Sequence, residues 1–225
     1  MENSKKPNNQ VNEQAEQAAA LKKEQMIKIA KFGTIAVIGI IAIVLIYIYA
    51  FRNPAIESTN EAIAQADVLL IKSNGDSTAV ANALTQYEKV ANDGSTPAAN
   101  RAKLMSAIIL YKNGEYAKCI EYLDDYSTTG AIIDAGAYSL KGDCYVNTNN
   151  FDDAIDCYEK AVSISDENQQ LAPVFMAKIA EIYHEQKEYA KELDIYEEIK
   201  TEYPQYSTLD VDKYIERAKA LIEKK

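Results

Sequence analysis

The chain has no tryptophan, one histidine, three cysteines, five prolines and eight glycines among its 225 residues. A single histidine excludes the His-Glu-x-x-His metal motif and leaves little for a zinc site. Three cysteines cannot all pair within one chain, so no complete disulfide framework is available. The low glycine and proline content argues against collagen-like, low-complexity and turn-rich β-sandwich architectures. Basic residues are also in deficit, with 24 Lys+Arg against 34 Asp+Glu and a net charge of −10. Such a chain lacks the excess cationic surface that neutralises nucleic-acid phosphates. No glycine-rich phosphate loop and no Gly-x-Ser-x-Gly elbow occurs. Asp124 and Asp125 lack the spacing of a calcium loop. No enzyme, metal or cofactor is implied. In surplus are 48% hydrophobic residues and 16 tyrosines, against only 4 phenylalanines.

These averages conceal two segments. Residues 1–31 are polar, and the composition of Met1–Gln10 reads as disordered. Val11–Lys31 is built from strong helix formers and reads as a solvated or docking helix. From Phe32 to Phe51 the chain runs 20 residues without a charge. At about 1.5 Å per residue, a helix of that length spans roughly the 30 Å of a hydrocarbon core. The run is too long, and begins too far from the start, for a cleaved signal peptide. Residues 32–52 therefore read as a transmembrane signal anchor. Lys22, Lys23, Lys28 and Lys31 precede it, whereas Arg52, Glu57 and Glu61 follow. The positive-inside rule places residues 1–31 in the cytoplasm and residues 54–225 outside, which is the periplasm in a bacterium with two membranes. By charge, residues 1–52 are net positive and residues 53–225 strongly negative. An acidic domain is repelled by anionic head groups and stands off the bilayer.

After Pro54 the breaks fall roughly every 15–20 residues, and between them apolar residues recur with the 3.6-residue helical period. They include Asn74-Gly75, Asp93-Gly94, Asn113-Gly114, Thr129-Gly130, Asn149-Asn150 and Tyr203-Pro204. The expected fold is all-α, made of short paired helices. The pairs repeat. Tyr138, Gly142, Tyr145, Asn149, Phe151, Ala154, Tyr158 and Ala161 follow one pattern, with Lys141 at a place usually held by leucine. Gly114, Tyr116, Cys119, Leu123 and Tyr126 give a second copy, with Ala107 before them. Ala180, Tyr183, Tyr189, Tyr196, Ile199 and Pro204 give a third, and Ala83, Tyr87 and Val90 a degenerate first. This pattern resembles the tetratricopeptide repeat, a helix–turn–helix unit of about 34 residues that buries its apolar faces only by stacking. The resemblance implies an α-solenoid with repeats near 64–97, 100–133, 135–168 and 173–206 and a terminal helix over 208–224. Gly142 and Ala154 are expected to face each other across a close helix contact. Cys119 stands where the family has a small alanine and reads as buried packing. Cys144 and Cys157 lie on the two helices of one hairpin at heights that do not clearly match, so a disulfide between them is open but not favoured. Asp152, Asp153, Asp156 and Glu159 read as a solvated helix face.

In the tetratricopeptide family the concave groove is lined by fixed places on each first helix. Carried over, these are Arg101, Leu104, Ile108 and Tyr111, then Gly136, Ser139, Asp143 and Val146, then Val174, Ala177, Glu181 and His184. An apolar start with a basic end, turning polar and acidic, suits a peptide with apolar anchors and a basic flank. The competing reading is that some of these side chains pack on the terminal helix. The layout of basic head, single span and acidic repeat domain resembles the YfgM-like membrane-anchored repeat proteins. That resemblance implies a protein-interaction scaffold of the bacterial inner membrane, working with the Sec translocon and periplasmic chaperones. Alternatives are a structural homo-oligomer, an assembly factor of another envelope complex, and an import-receptor type with cytosolic repeats.

Overall fold

The computed structural model describes residues 7–130, 132–165, 168–206 and 210–224. Residues 1–6 of the segment read as disordered, residues 131 and 166–167 within expected repeats, and residues 208–209 at the start of the expected terminal helix lie outside the described residues. Residues 7–10 depart from that reading: they open a helix at Pro7, a residue suited to the first helical position, where its missing N–H costs nothing. The chain forms two units, residues 1–57 and 58–225.

The first unit holds α1 (Pro7–Tyr47) and a π-helical turn, Ile48–Arg52. Among the described residues, one helical stretch is long and apolar enough to cross a membrane, with a mean hydropathy of 2.7 and none of it buried. Phe32, Ile38, Ile43 and Ile46 are all more than half exposed, at 73, 66, 68 and 61%. A core helix of a soluble domain would instead bury such side chains.

Nine further helices follow among the described residues: α2 (Asn53–Ser73), α3 (Ser77–Ala91), α4 (Pro97–Lys112), α5 (Tyr116–Asp124), α6 (Ile133–Asn147), α7 (Phe151–Ile164), α8 (Ala172–Glu185), α9 (Tyr189–Glu202) and α10 (Val211–Glu223). No strand occurs among the described residues. From α3 onward each helix packs on the next, which is the stacking of tandem hairpins. We number the hairpins α2/α3, whose helices meet in the cluster of Ile63, Ala66, Ala83 and Tyr87, α4/α5, α6/α7 and α8/α9 as first to fourth; α10 packs on α9. The sequence sets the helix starts locally. The carboxylate of Asp76 accepts from the Ala79 amide at 2.8 Å, and the Thr96 hydroxyl oxygen accepts from the Ala99 amide at 3.1 Å, ahead of Pro97. Each satisfies an orphan N–H of the first turn.

The turns inside the second, third and fourth hairpins share one geometry. Gly114, Asn149 and Lys187 have φ of 79°, 60° and 61°. The residue after each donates back to a carbonyl five residues earlier: Glu115 to Leu110, Asn150 to Tyr145 and Glu188 to Tyr183, at 2.8–2.9 Å. This is the Schellman closure of a helix, which demands a left-handed residue. Glycine and asparagine adopt that conformation readily; lysine pays about 1 kcal/mol for it. Lys187→Gly is therefore expected to stabilise the protein by about 1 kcal/mol, measured by thermal melting.

Alanines make close packing possible. Ala83, Ala102, Ala107, Ala154, Ala161 and Ala180 are fully buried. Among the glycines the tightest site is Gly142, where an added Cβ would lie 2.6 Å from the Tyr158 ring. At the close contact expected at Gly142, the nearest atoms are those of the Tyr158 ring. The three cysteines are free and buried. The neighbour of Cys144 is Cys119, from the preceding hairpin, and not Cys157.

Candidate partner-binding groove

The first helices α4, α6 and α8 carry the side chains expected to line a groove. Between Tyr111 of α4, α6 and α8 lies an open cavity of about 190 Å³, lined by Tyr111, Asp143, Val146, Asn147, Tyr158, Lys178, Glu181, Ile182 and Glu185. Four residues expected in the groove thus meet there: Tyr111, Asp143, Val146 and Glu181.

Asp143 is the centre of the site. Tyr158 of α7 donates its hydroxyl to Asp143 at 2.6 Å. Lys178 of α8 bonds both carboxylate oxygens, at 2.6 and 2.8 Å, and donates to Ser139 at 3.0 Å. The ammonium also sits 5.2 Å from the centroid of the Tyr158 ring, a cation–π contact. Burial and the bond to Asp143 push the Tyr158 hydroxyl far above its ordinary pKa, so it stays a donor. The same chemistry recurs between the first two hairpins in a different register. There Arg101 grips Asp67 with two bonds, at 2.8 and 3.0 Å, and Tyr87 donates to the same carboxylate at 2.6 Å. In both places a carboxylate on one first helix is held by a tyrosine of its own hairpin and a cation from the next. Arg101 and Asp143 are therefore inter-hairpin latches first.

Other expected residues are placed differently. Leu104 and Ser139 are buried, each 6% exposed, and Leu104 joins the core around Ala107, Leu110 and Cys119. Ile108 packs on the same core. Val174 packs beside Ala135, Ala161 and Phe175, and Ala177 beside Met176 and Tyr196. Gly136 is exposed. His184 turns away from the cavity: its Nδ1 lies 2.8 Å from Glu192 of α9, a carboxylate with no exposure, and its ring lies against Tyr189. Arg217 of α10 bonds the other oxygen of Glu192. A fully buried carboxylate must be paired, and Glu192 takes its partners from the helices on either side. The terminal helix thus engages Glu192 directly and His184 through it, and Ala177 packs on the cluster that includes Ile215 of α10.

Around Ile182, the charged face that α8 presents to the cavity is Lys178, Glu181 and Glu185. The carry-over from the repeat pattern kept Glu181 but missed Lys178 and Glu185. Their i, i+3, i+7 spacing on α8 was the signal that would have found them. Apart from the paired Lys178 and Asp143, the charges at the cavity are Glu181 and Glu185, both exposed, which leaves its rim negative.

A second buried carboxylate fixes the loop after α5. Asp134, 1% exposed, accepts from the Tyr126 hydroxyl at 2.7 Å and from the Thr129 and Gly130 amides at 2.8 and 2.7 Å. Burial pushes this carboxyl up, but the hydrogen bonds from Tyr126, Thr129 and Gly130 outweigh it and hold its pKa below the ordinary 3.8. Its contribution is complete above that unfolded value and is lost as pH falls through the lower folded one. Asp134→Asn is expected to cost about 1–3 kcal/mol at pH 7. The deficit should shrink in melts taken below about pH 4, where the wild type loses the same contribution.

Among the described residues, no three His, Cys, Asp or Glu side chains converge to hold a metal ion. Tandem helix hairpins stacked through small residues and tyrosines define a helical-repeat, protein-interaction fold rather than a catalytic one. The chain belongs to the tetratricopeptide repeat-like domain family, whose model matches residues 8–184; a tetratricopeptide repeat model also matches residues 176–206. The TPR repeat-containing protein MJ0940 of Methanocaldococcus jannaschii is 37% identical over 78 residues, which is 35% of this chain and 23% of that protein. The chain therefore spans about a quarter of the length of the curated relative it matches. Among solved structures, the nearly identical TPR-like repeats of a kinesin light chain from Podosopora anserina align with TM-score 0.58 at 12% identity, covering 74% of this chain and 89% of that one. MamA (41-end) from Desulfovibrio magneticus RS-1 aligns with TM-score 0.53 at 16% identity, covering 67% and 78%. These structural likenesses concern the fold.

Proposed function

We propose that this chain is a membrane-anchored scaffold of the bacterial cytoplasmic membrane, with residues 1–31 in the cytoplasm, residues 32–52 in the bilayer and the repeat domain of residues 54–225 in the periplasm. Its groove takes an extended segment of a protein partner engaged in translocation, folding or assembly of envelope proteins, in the manner of YfgM-like partners of the Sec translocon. The observation that carries the reading is the cavity at Tyr111, Asp143 and Glu181, which joins an aromatic wall to a negative rim. A lysine or arginine flanked by apolar residues would satisfy both. The anchor is supported by the unburied apolar helix and by a family match that begins at residue 8, so that head, apolar segment and repeats fall within one relationship. The flanking charge asymmetry supports the orientation.

In-cell photo-cross-linking from position 111, 181 or 185 is expected to yield one shared hetero-adduct, with no adduct from the exposed outer face at Glu159. Adducts with a second copy of the chain alone would favour the alternative, a self-associating structural protein. Protease digestion of the repeats only after the cytoplasmic membrane is opened from its inner side would overturn the orientation.

A further inference from the structure

We infer that Cys119 and Cys144 form a disulfide site that staples the second hairpin to the third. Cys119 lies on α5 and Cys144 on α6, 25 residues apart, and their sulfur atoms are 2.9 Å from each other with both side chains fully buried. That is well inside the spacing kept by two unbonded sulfurs in ordinary contact, and bond formation needs a further approach of roughly 0.9 Å. The junction itself supports the assignment. The first and second hairpins are latched by Asp67 and Arg101, and the third and fourth by Asp143 and Lys178. The fourth is tied to α10 through Glu192 and Arg217. Between α5 and α6, at the junction of the second and third hairpins, the one ion pair among the described residues is Lys141 with Asp124, whose carboxylate is 55% exposed and weak for that reason. Asp134 of α6 ties down the loop that follows α5, but directly between the two helices the buried side-chain pair is a pair of thiols.

The hydrogen bond between the two thiols holds Cys144 below the ordinary thiol range, against the opposing effect of burial. With glutathione disulfide as oxidant, the Cys144 thiolate attacks one sulfur, the glutathione S–S bond breaks and one glutathione leaves. Cys119 then attacks the Cys144 sulfur of the mixed disulfide and expels the second glutathione. One protein S–S bond forms and one glutathione S–S bond breaks. The two protein thiols give up two electrons and two protons, and two glutathione thiols receive them. Cys157, buried on α7 with its thiol pushed up to about 11, chiefly by burial, lies outside the pair and serves as the internal reference.

The full chain in detergent, reduced and then held with glutathione disulfide just below its melting midpoint, where local opening admits the reagent, would be denatured and alkylated with a maleimide-polyethylene glycol. Only the Cys157 thiol should react, and a non-reducing peptide map should join the Cys119 and Cys144 peptides. Dithiothreitol should then lower the melting midpoint by roughly 5–10 °C. Cys119→Ala, which restores a small residue at a packed position, should melt at one temperature with or without dithiothreitol; Cys144→Ala gives the same test if the first variant does not fold. Full alkylation of all three cysteines after oxidation, or a link that includes Cys157, would overturn the assignment.

Discussion

Gly142→Leu is expected to lower the melting midpoint by about 6–12 °C, a loss of about 3 kcal/mol or more. Even the first carbon of a side chain at this position would sit 2.6 Å from the Tyr158 ring. The ring has nowhere to go: it is 2% exposed and its hydroxyl is fixed to Asp143, which in turn holds Lys178. Pushing it aside breaks the latch between the third and fourth hairpins as well as the packing within the third. Gly142→Ala should cost about 1 kcal/mol net, because the gain in helix propensity offsets part of the clash. Pairing Gly142→Ala with Tyr158→Leu should give a loss smaller than the sum of the two single losses, the signature of residues in contact. A melting midpoint unmoved by Gly142→Leu would show that the two helices do not meet here.

The second large effect is expected at Glu192. Replacing it by alanine should cost about 2–4 kcal/mol and release α10, read as faster hydrogen exchange in Val211–Glu223 than in α8. The carboxylate is fully buried between His184 on α8 and Arg217 on α10. Removing it leaves the guanidinium of Arg217 facing a cavity, and breaking such a pair from one side costs far more than the pair contributes as a unit. Because Arg217 and His184 are each about one-third exposed, at 36 and 33%, water recovers part of the loss. Glu192→Gln keeps the shape and one acceptor, so it should fall midway. Uniform exchange across α8 and α10 in the alanine variant would contradict this account of how the last helix is held.

Much of the architecture is legible from residues alone. The uncharged run from Phe32 to Phe51 is long and apolar enough to cross a bilayer, and the structure leaves it unburied. The phase of Ala83, Ala107, Ala154 and Ala180 marks the positions where helices touch, and all four are fully buried. Hairpin turns at Asn113-Gly114 and Asn149-Asn150 follow from residues that tolerate positive φ. The turn at Lys187 was not legible, because nothing in a lysine signals a left-handed backbone; only the closure between α8 and α9 imposes it. The groove was legible in part. Pattern transfer names Tyr111, Asp143, Val146 and Glu181, but periodicity does not say how far each helix rotates in its stack. A rotation of one position on α8 exchanges His184 for Glu185 and brings Lys178 to the cavity.

The tyrosine surplus draws the line between the two levels. The sequence by itself determined that aromatic residues recur at helical-repeat places and that the fold is built on them, since burial of apolar area follows periodicity. It did not determine why 16 of the aromatics are tyrosine and only 4 phenylalanine. Tertiary structure decided it for three of them. Tyr87 and Tyr158 bury their rings, Tyr126 half-buries its own, and each aims a hydroxyl at a carboxylate, Asp67, Asp143 and Asp134 respectively. Those partners lie 20, 15 and 8 residues away along the chain. A hydrogen bond depends on distance and direction in space, and in two of the three cases the donor and acceptor come together only once a hairpin has closed.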